Sequence, residues 1–426
     1  MTGTQTSTDP FEVLQGDQGV SVHLMRTDKY KTVLLRWIVE APLDEDRAAR
    51  AILPDLLTRA TASCPGLAEM AARCEELYNT DLVASVTAHG PLQLLRFGFD
   101  TISDRHAGGR ALFAEAVELL AEVLHQPPLT DGAFRADHLE QERTNLVRAI
   151  EGLTDDKHLY AYRHMIEAMH AGTPRALHSW GAAEQAAAVD QPAVHREWTQ
   201  LVTRAPVRML VVGDVTPEQA VAAADTLAGS DHGAPTAPLI PPALAAHAPN
   251  ELVETQRLAQ SKLAMGFRMR PDQSLTPAAS LFGTVFGGDA HSRLFKRVRE
   301  AESLAYGCSA SVSGQNATLV VQAGVDADAA PRVRELVQEE LERLASDGVS
   351  AEELELSRRA QERRLTDLLD APRGVCAFRH GALLDGRPHE VEQALADLRA
   401  VQPEDVAAIA AACELDTVFL LEGRGA

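Results

Sequence analysis

Positive charge is scarce in this sequence: 40 Lys and Arg stand against 61 Asp and Glu, a formal net charge of −21 over 426 residues. Such a chain repels nucleic acid and anionic lipid, and no basic stripe compensates, so neither is expected as a partner. Basic or neutral peptides remain compatible. Long apolar runs are missing as well. No stretch of about 18 apolar residues occurs, so no transmembrane helix is expected. The amino terminus, MTGTQTSTDPFEVLQGDQGV, has neither the basic start nor the apolar segment of a secretory signal. The five cysteines, Cys64, Cys74, Cys308, Cys376 and Cys413, are odd in number and form no Cys-x-x-Cys pair. That is the pattern of free thiols in a reducing compartment. Together these absences predict a soluble, cytoplasmic protein. No Rossmann or P-loop pattern occurs either, and Gly287-Gly288 alone makes no phosphate cradle, so no nucleotide cofactor is expected.

What is present is a duplication. The length suits two domains of about 200 residues each, and the Pro- and Ala-rich stretch GSDHGAPTAPLIPPALAAHAPN over 229–250 is the natural linker. The expected division is therefore 1–228, linker 229–250, and 251–426. On either side of the linker the same order of elements recurs. A long charged helix, DHLEQERTNLVRAIEGL, is answered by AEELELSRRAQERRLTDLL, with Glu142-Arg143 and Glu362-Arg363 at matching places. Gln191-Pro192 opens a helix that leads into the strand VRMLVVGDV, as Gln402-Pro403 opens one that leads into TVFLLEG. Short strands lie between: SVHLMRT, KTVLLRWIVEA, DLVASVTAH and LQLLRFGFDTI, then QSKLAMGFRM, AYGCSASVSG and ATLVVQAGV. Their spacing predicts an α+β fold of two homologous domains, each an antiparallel-rich sheet with helices packed on one face.

The most specific segment is Phe286-GGDAHSRLFKRVREAESLAY-Gly307, in which a glycine pair precedes a basic amphipathic helix, and Arg299 and Tyr306 stand seven residues apart. Gly-Gly, Ser292-RLF, Val298-Arg299-Glu300 and Leu304-Ala305-Tyr306 resemble the second half of the pitrilysin/insulinase zinc metallopeptidases. Together with the duplication, the linker and the Asp155-Asp156-Lys157 helix, the resemblance spans the whole chain. It implies the LuxS/processing-peptidase-like metallopeptidase fold. The family's zinc is held by a His-x-x-Glu-His helix, whose two histidines share one face while the Glu serves as general base, and by a downstream Glu. Aligned on Ala60-Thr61, the first His falls at Ala51, the Glu at Pro54 and the second His at Asp55. Aligned on Glu142-Arg143, the downstream Glu falls at Ala149. No His lies between Glu40 and Thr80, so a small shift of alignment does not restore the site. The resemblance is thus to a non-catalytic subunit, with no catalytic residue and no cofactor in this chain and zinc expected in a homologous partner.

Other histidines do not rebuild a metal site. His138-LEQE and His389-EVEQ each lack a second His, and His164 and His170, six apart, point to different helix faces. Glu142 falls where some family members hold a second acid, although a solvated or ion-paired Glu is the ordinary reading on a charged helix. For Arg299 and Tyr306 the resemblance implies hydrogen bonds to the carbonyl oxygens of a bound peptide. Both groups suit that task as planar or stiff donors. Two functions follow: the substrate-binding subunit of a heterodimeric zinc peptidase, inactive alone and acting on peptides in maturation or leader removal, or a structural or assembly protein that keeps only the fold.

Overall fold

The computed structural model describes residues 10–424. The first half of the chain runs through β1 (Glu12–Gln15), β2 (Ser21–Arg26), β3 (Thr32–Pro42), α1 (Arg47–Arg59), β4 (Asp81–His89) and β5 (Leu92–Ile102). It continues with α2 (Leu112–His125), α3 (Ala136–Gly152), α4 (Lys157–Met169), α5 (Gln191–Thr203), β6 (Val207–Gly213) and α6 (Pro217–Ala228). Residues 229–249 form neither helix nor strand. The second half comprises β7 (Asn250–Gln256), β8 (Ser261–Arg268), β9 (Ala305–Ser313), β10 (Thr318–Val325), α7 (Ala330–Asp347), α8 (Ala351–Asp367), α9 (Pro372–Asp385), α10 (Pro403–Ala411) and β11 (Glu414–Gly423). Local chemistry sets several of these boundaries. Asp156 caps α4 by accepting from the His158 and Leu159 amides at 2.9 and 3.1 Å, and Thr216 with Gln219 forms a capping box at α6.

Two compact units result, an α+β architecture with one main sheet each, and the first also holds a two-stranded ribbon in which Leu129 pairs with Phe134 and Thr130 with Ala133. Of the described residues, the first contains 10–151, 177–237 and 368–384, and the second 152–176, 238–367 and 385–424. The first sheet has the order β1-β2-β6-β3-β5-β4, and the second β9-β10-β8-β11-β7. Most neighbours are antiparallel, and one pair in each sheet is parallel: β2 with β6, and β7 with β11. Hairpin spacing alone does not show those parallel pairs, because each joins strands from distant parts of the sequence.

Each sheet carries its main helical layer on one face. In the first unit Val33, Leu35, Trp37 and Val39 of β3 pack with Ile52, Leu53 and Leu56 of α1 and with the apolar sides of α2, α5 and α6. In the second, Leu263, Met265 and Phe267 of β8 pack with Val333, Leu336 and Val337 of α7 and with Val406 and Ile409 of α10. A single further helix covers the opposite face in each case. Helix α9 places Val375, Cys376 and Leu384 on Leu34, Ile38, Leu94, Leu210 and Val212. Helix α4 places Ala161, Met165 and Met169 on Ala264, Val320, Phe419 and Leu421. Burial on both faces explains why β3 reads as a nearly unbroken apolar run rather than an alternating one.

Candidate functional site

Helix α1 holds the positions where the zinc motif would lie, and its amino-terminal half is tied down by buried arginines. Arg50 donates to Gln93 Oε1 at 2.7 Å, to Glu197 Oε2 at 3.0 Å and to the Pro42 carbonyl at 2.8 Å. Ala51 and Pro54 are buried along the helix, while Asp55 is exposed. Pro54 supplies no amide hydrogen for the helical ladder, so it leaves the Arg50 carbonyl without its usual partner one turn back. Asp55 is close enough to Glu142 of α3 for their charges to interact. Burial first, and then that neighbouring charge, raises the Asp55 pKa above the ordinary Asp value. Although Asp55 remains solvent-accessible, its carboxylate therefore lies in crowded, acidic surroundings.

Glu142 itself is buried and already engaged. Arg59, at the end of α1, pairs with its Oε1, and Asn145 donates to its Oε2 at 3.0 Å. Arg59 also donates to Gln141 Oε1 at 2.6 Å, which completes a clasp between α1 and α3. Ala149 lies on the same helix, exposed, about two turns beyond Glu142. The structure thus brings Asp55 and Glu142 together, but two methyl groups, a proline ring and a single unengaged carboxylate do not make a zinc ligand set. Among the described residues, no group of three or more His, Cys, Asp or Glu is placed to hold a metal ion.

Arg299 and Tyr306 belong to the second unit, where two irregularities present them. Residues Thr284–Gly288 and Phe295–Ala301 coil as wide π-helical turns. Gly287 packs so tightly on the backbone of Ala310 in β9 that a Cβ there would collide with it. Ser303, at φ +54°, turns the chain into β9, and the Leu304 amide donates to the Val298 carbonyl at 3.0 Å. In β9, Ala305 pairs with Val325 and Gly307 with the very next residue of the partner, Gly324, so Tyr306 is the extra residue of a bulge. The bulge turns it outward, 77% exposed, on an edge strand. Arg299 is exposed too, and its guanidinium lies over the Phe295 ring, 4.8 Å from the centroid. The neighbouring carboxylate Glu302 pairs instead with Arg297 at 3.3 Å. Among the described residues, the side chains of Arg299 and Tyr306 have no hydrogen-bond or ion-pair partner.

The family model for the Peptidase M16 inactive domain matches residues 199–361, the stretch that contains this segment. A probable inactive metalloprotease of Bacillus subtilis (strain 168), YmfF, is 27% identical over 412 residues, covering 95% of this chain and 96% of that protein. Over nearly its whole length the chain is thus similar to inactive M16 peptidase relatives. Solved structures share the M16 fold. A conserved protein from Enterococcus faecalis V583 superposes with a TM-score of 0.89 at 24% identity, covering 98% of this chain and 99% of that one. A peptidase M16 inactive domain from Pseudomonas fluorescens gives 0.78 at 17% identity, covering 98% and 99%.

The remaining histidines of this chain have structural surroundings. His138 is buried on α3, where desolvation and then the charge of Arg135 lower its pKa. His389 precedes the helix Val391–Ala400 rather than lying within it, so it shares no helical face with a second ligand. His164 Nδ1 is 3.0 Å from the Tyr160 carbonyl, and its ring packs on Phe419, while His170 contacts Thr318. Sequence reasoning missed the Arg59 clasp, the Phe295 platform and the Tyr306 bulge. The spacing of Phe295 and Arg299, one turn apart on a helix, was the available signal for the platform.

Proposed function

We propose that this chain is the substrate-binding, non-catalytic subunit of a two-chain zinc peptidase. Its partner is a homologous chain that carries His-x-x-Glu-His and supplies both the metal and the general base. Arg299 and Tyr306 donate hydrogen bonds to the carbonyl oxygens of an extended peptide, positioning it and stabilising charge as it develops on the scissile carbonyl. The acidic balance of the chain favours basic peptides, and leader or precursor peptides are the substrate class we infer. Five free cysteines support a cytoplasmic, reducing setting for this work, and no helix among the described residues is long and apolar enough to cross a membrane.

The observation that carries the reading is the presentation of the Arg/Tyr pair. A π-turn, a cation–π platform and a β-bulge hold a guanidinium and a phenol in solvent with no partner in their own unit. A pure scaffold has no use for such an arrangement. The test is reconstitution. The purified chain alone is expected to hold no stoichiometric zinc and to cleave no peptide, and cleavage should arise on mixing with a co-purifying His-x-x-Glu-His protein. In that mixture Arg299→Ala and Tyr306→Phe should each lower kcat/KM by about 10- to 100-fold. One zinc and turnover in the lone chain would overturn the proposal. Full turnover by the doubly substituted mixture would leave the scaffold reading instead.

A further inference from the structure

In the second sheet β7 is an outer strand, paired in parallel with β11 and with no other strand among the described residues. The internal duplication shows what such a position accepts. By strand order β7 corresponds to β2, β11 to β6, β8 to β3, β10 to β5 and β9 to β4. In the first sheet the outer edge of β2 is covered by β1, antiparallel, from Glu12↔Leu24 to Gln15↔Ser21. Among the described residues the second sheet has no counterpart of β1. Strand β7, sequence NELVETQ, has no proline, no lysine and no bulge in its pairing with β11, and its edge protection is confined to the charges of Glu251 and Glu254. Val253 on this strand is 67% exposed. It borders a cleft of about 410 Å³ whose lining includes Leu263, Val418 and Leu420 of the sheet and Ala330 and Pro331 of α7.

We propose that a second copy of this chain fills that edge, its β7 pairing antiparallel with the first across a two-fold axis at Val253. The strand is self-complementary in that register. Val253 meets Val253, Leu252 meets Glu254, Glu251 meets Thr255 and Asn250 meets Gln256, so no like charges are opposed. Moving the axis one residue toward the C-terminus would set Glu254 against Glu254, which disfavours that alternative. Arg334 already holds the Glu251 carboxylate at 2.6 Å and keeps one of the acids beside the axis compensated. The Tyr306-bearing strand β9 is the opposite edge of the same sheet, four strand spacings or roughly 19 Å away. Pairing through β7 therefore leaves that edge free.

Sedimentation velocity of the full-length chain from about 1 to about 100 µM tests this, since a dimer must follow mass action. The expected result is a concentration-dependent dimer that Val253→Lys converts to a monomer with an unchanged circular-dichroism spectrum. Val253→Cys should form an intermolecular disulfide under mild oxidation, beyond any seen for the unsubstituted chain, because the axis puts identical residues face to face. A chain monomeric throughout overturns the proposal, as does a dimer that Val253→Lys leaves intact. So does a monomer whose β7 edge is occupied by an unrelated extended peptide.

Discussion

At the carboxyl end of α4, His170 is 1% exposed, with Nε2 3.3 Å from the Thr318 hydroxyl and Nδ1 buried without a partner. Burial first, then the charge of Arg175, lowers its pKa to about 4 against an opposing pull from Asp416. The folded state therefore binds this proton less readily than the unfolded chain, whose His titrates near 6.5. The associated stability is fully present above about pH 6.5 and is lost as pH falls toward about 4, by as much as roughly 3 kcal/mol. We predict that acidification from about pH 7.5 to about pH 4.5 lowers the urea midpoint more in the natural chain than in His170→Asn, which has no such titration. Parallel midpoints for the two proteins would show that His170 is protonated without penalty. The same residue explains why histidine spacing alone finds no metal site here: burial among helix and sheet keeps this imidazole neutral and structural.

The segment from Gly287 to Gly307 works as one element, because the position of Tyr306 depends on how closely the preceding turn packs on β9. Gly287→Ala would drive a methyl group into the Ala310 backbone, which has no flexible end to move aside. We expect a loss of about 1–3 kcal/mol in unfolding free energy, measured by urea titration. In the two-chain peptidase proposed above, activity should fall even where the protein remains folded, because β9 and its bulge must shift. Unchanged stability would mean that the turn can relax away from the strand. Much of this element was readable beforehand: the glycine pair, the amphipathic helix and the Arg/Tyr spacing are local patterns. The bulge was not, since it exists only in the register of Ala305 and Gly307 against Val325 and Gly324, which no local pattern encodes. Strand β7 was hidden for a related reason. Its NELVETQ sequence has two apolar residues and follows directly on a Pro-rich stretch, and it becomes a strand because β11 offers it a parallel edge. The residue types Ala51, Pro54, Asp55 and Ala149 can be read directly from the sequence. The Arg59–Glu142 clasp, by contrast, joins residues far apart in sequence.

For the whole molecule, the duplication was visible in the repeated order of elements, but the membership of the two units was not. The first unit requires residues 368–384, which lie far beyond the linker, and the second requires 152–176 from before it. Without the first of these segments, Leu34, Ile38, Leu94, Leu210 and Val212 lose the cover of Val375, Cys376 and Leu384. The buried helix residues Arg379 and His380 would also be missing, and with them the neighbours of His23 and Glu40. Burying an aliphatic side chain of this size contributes about 1.5–3 kcal/mol. Removing the helix therefore withdraws an amount comparable to the whole stability of a typical domain, about 5–15 kcal/mol. A fragment ending at residue 237 is accordingly expected to aggregate or to bind a hydrophobic dye strongly and to unfold without a cooperative transition. Attaching residues 368–385 to its end through a flexible linker should restore a sigmoidal urea transition and reduce dye binding. If the bare fragment unfolds cooperatively with little dye bound, the opposite face of the sheet does not need α9, and the second cluster of apolar residues is dispensable for folding.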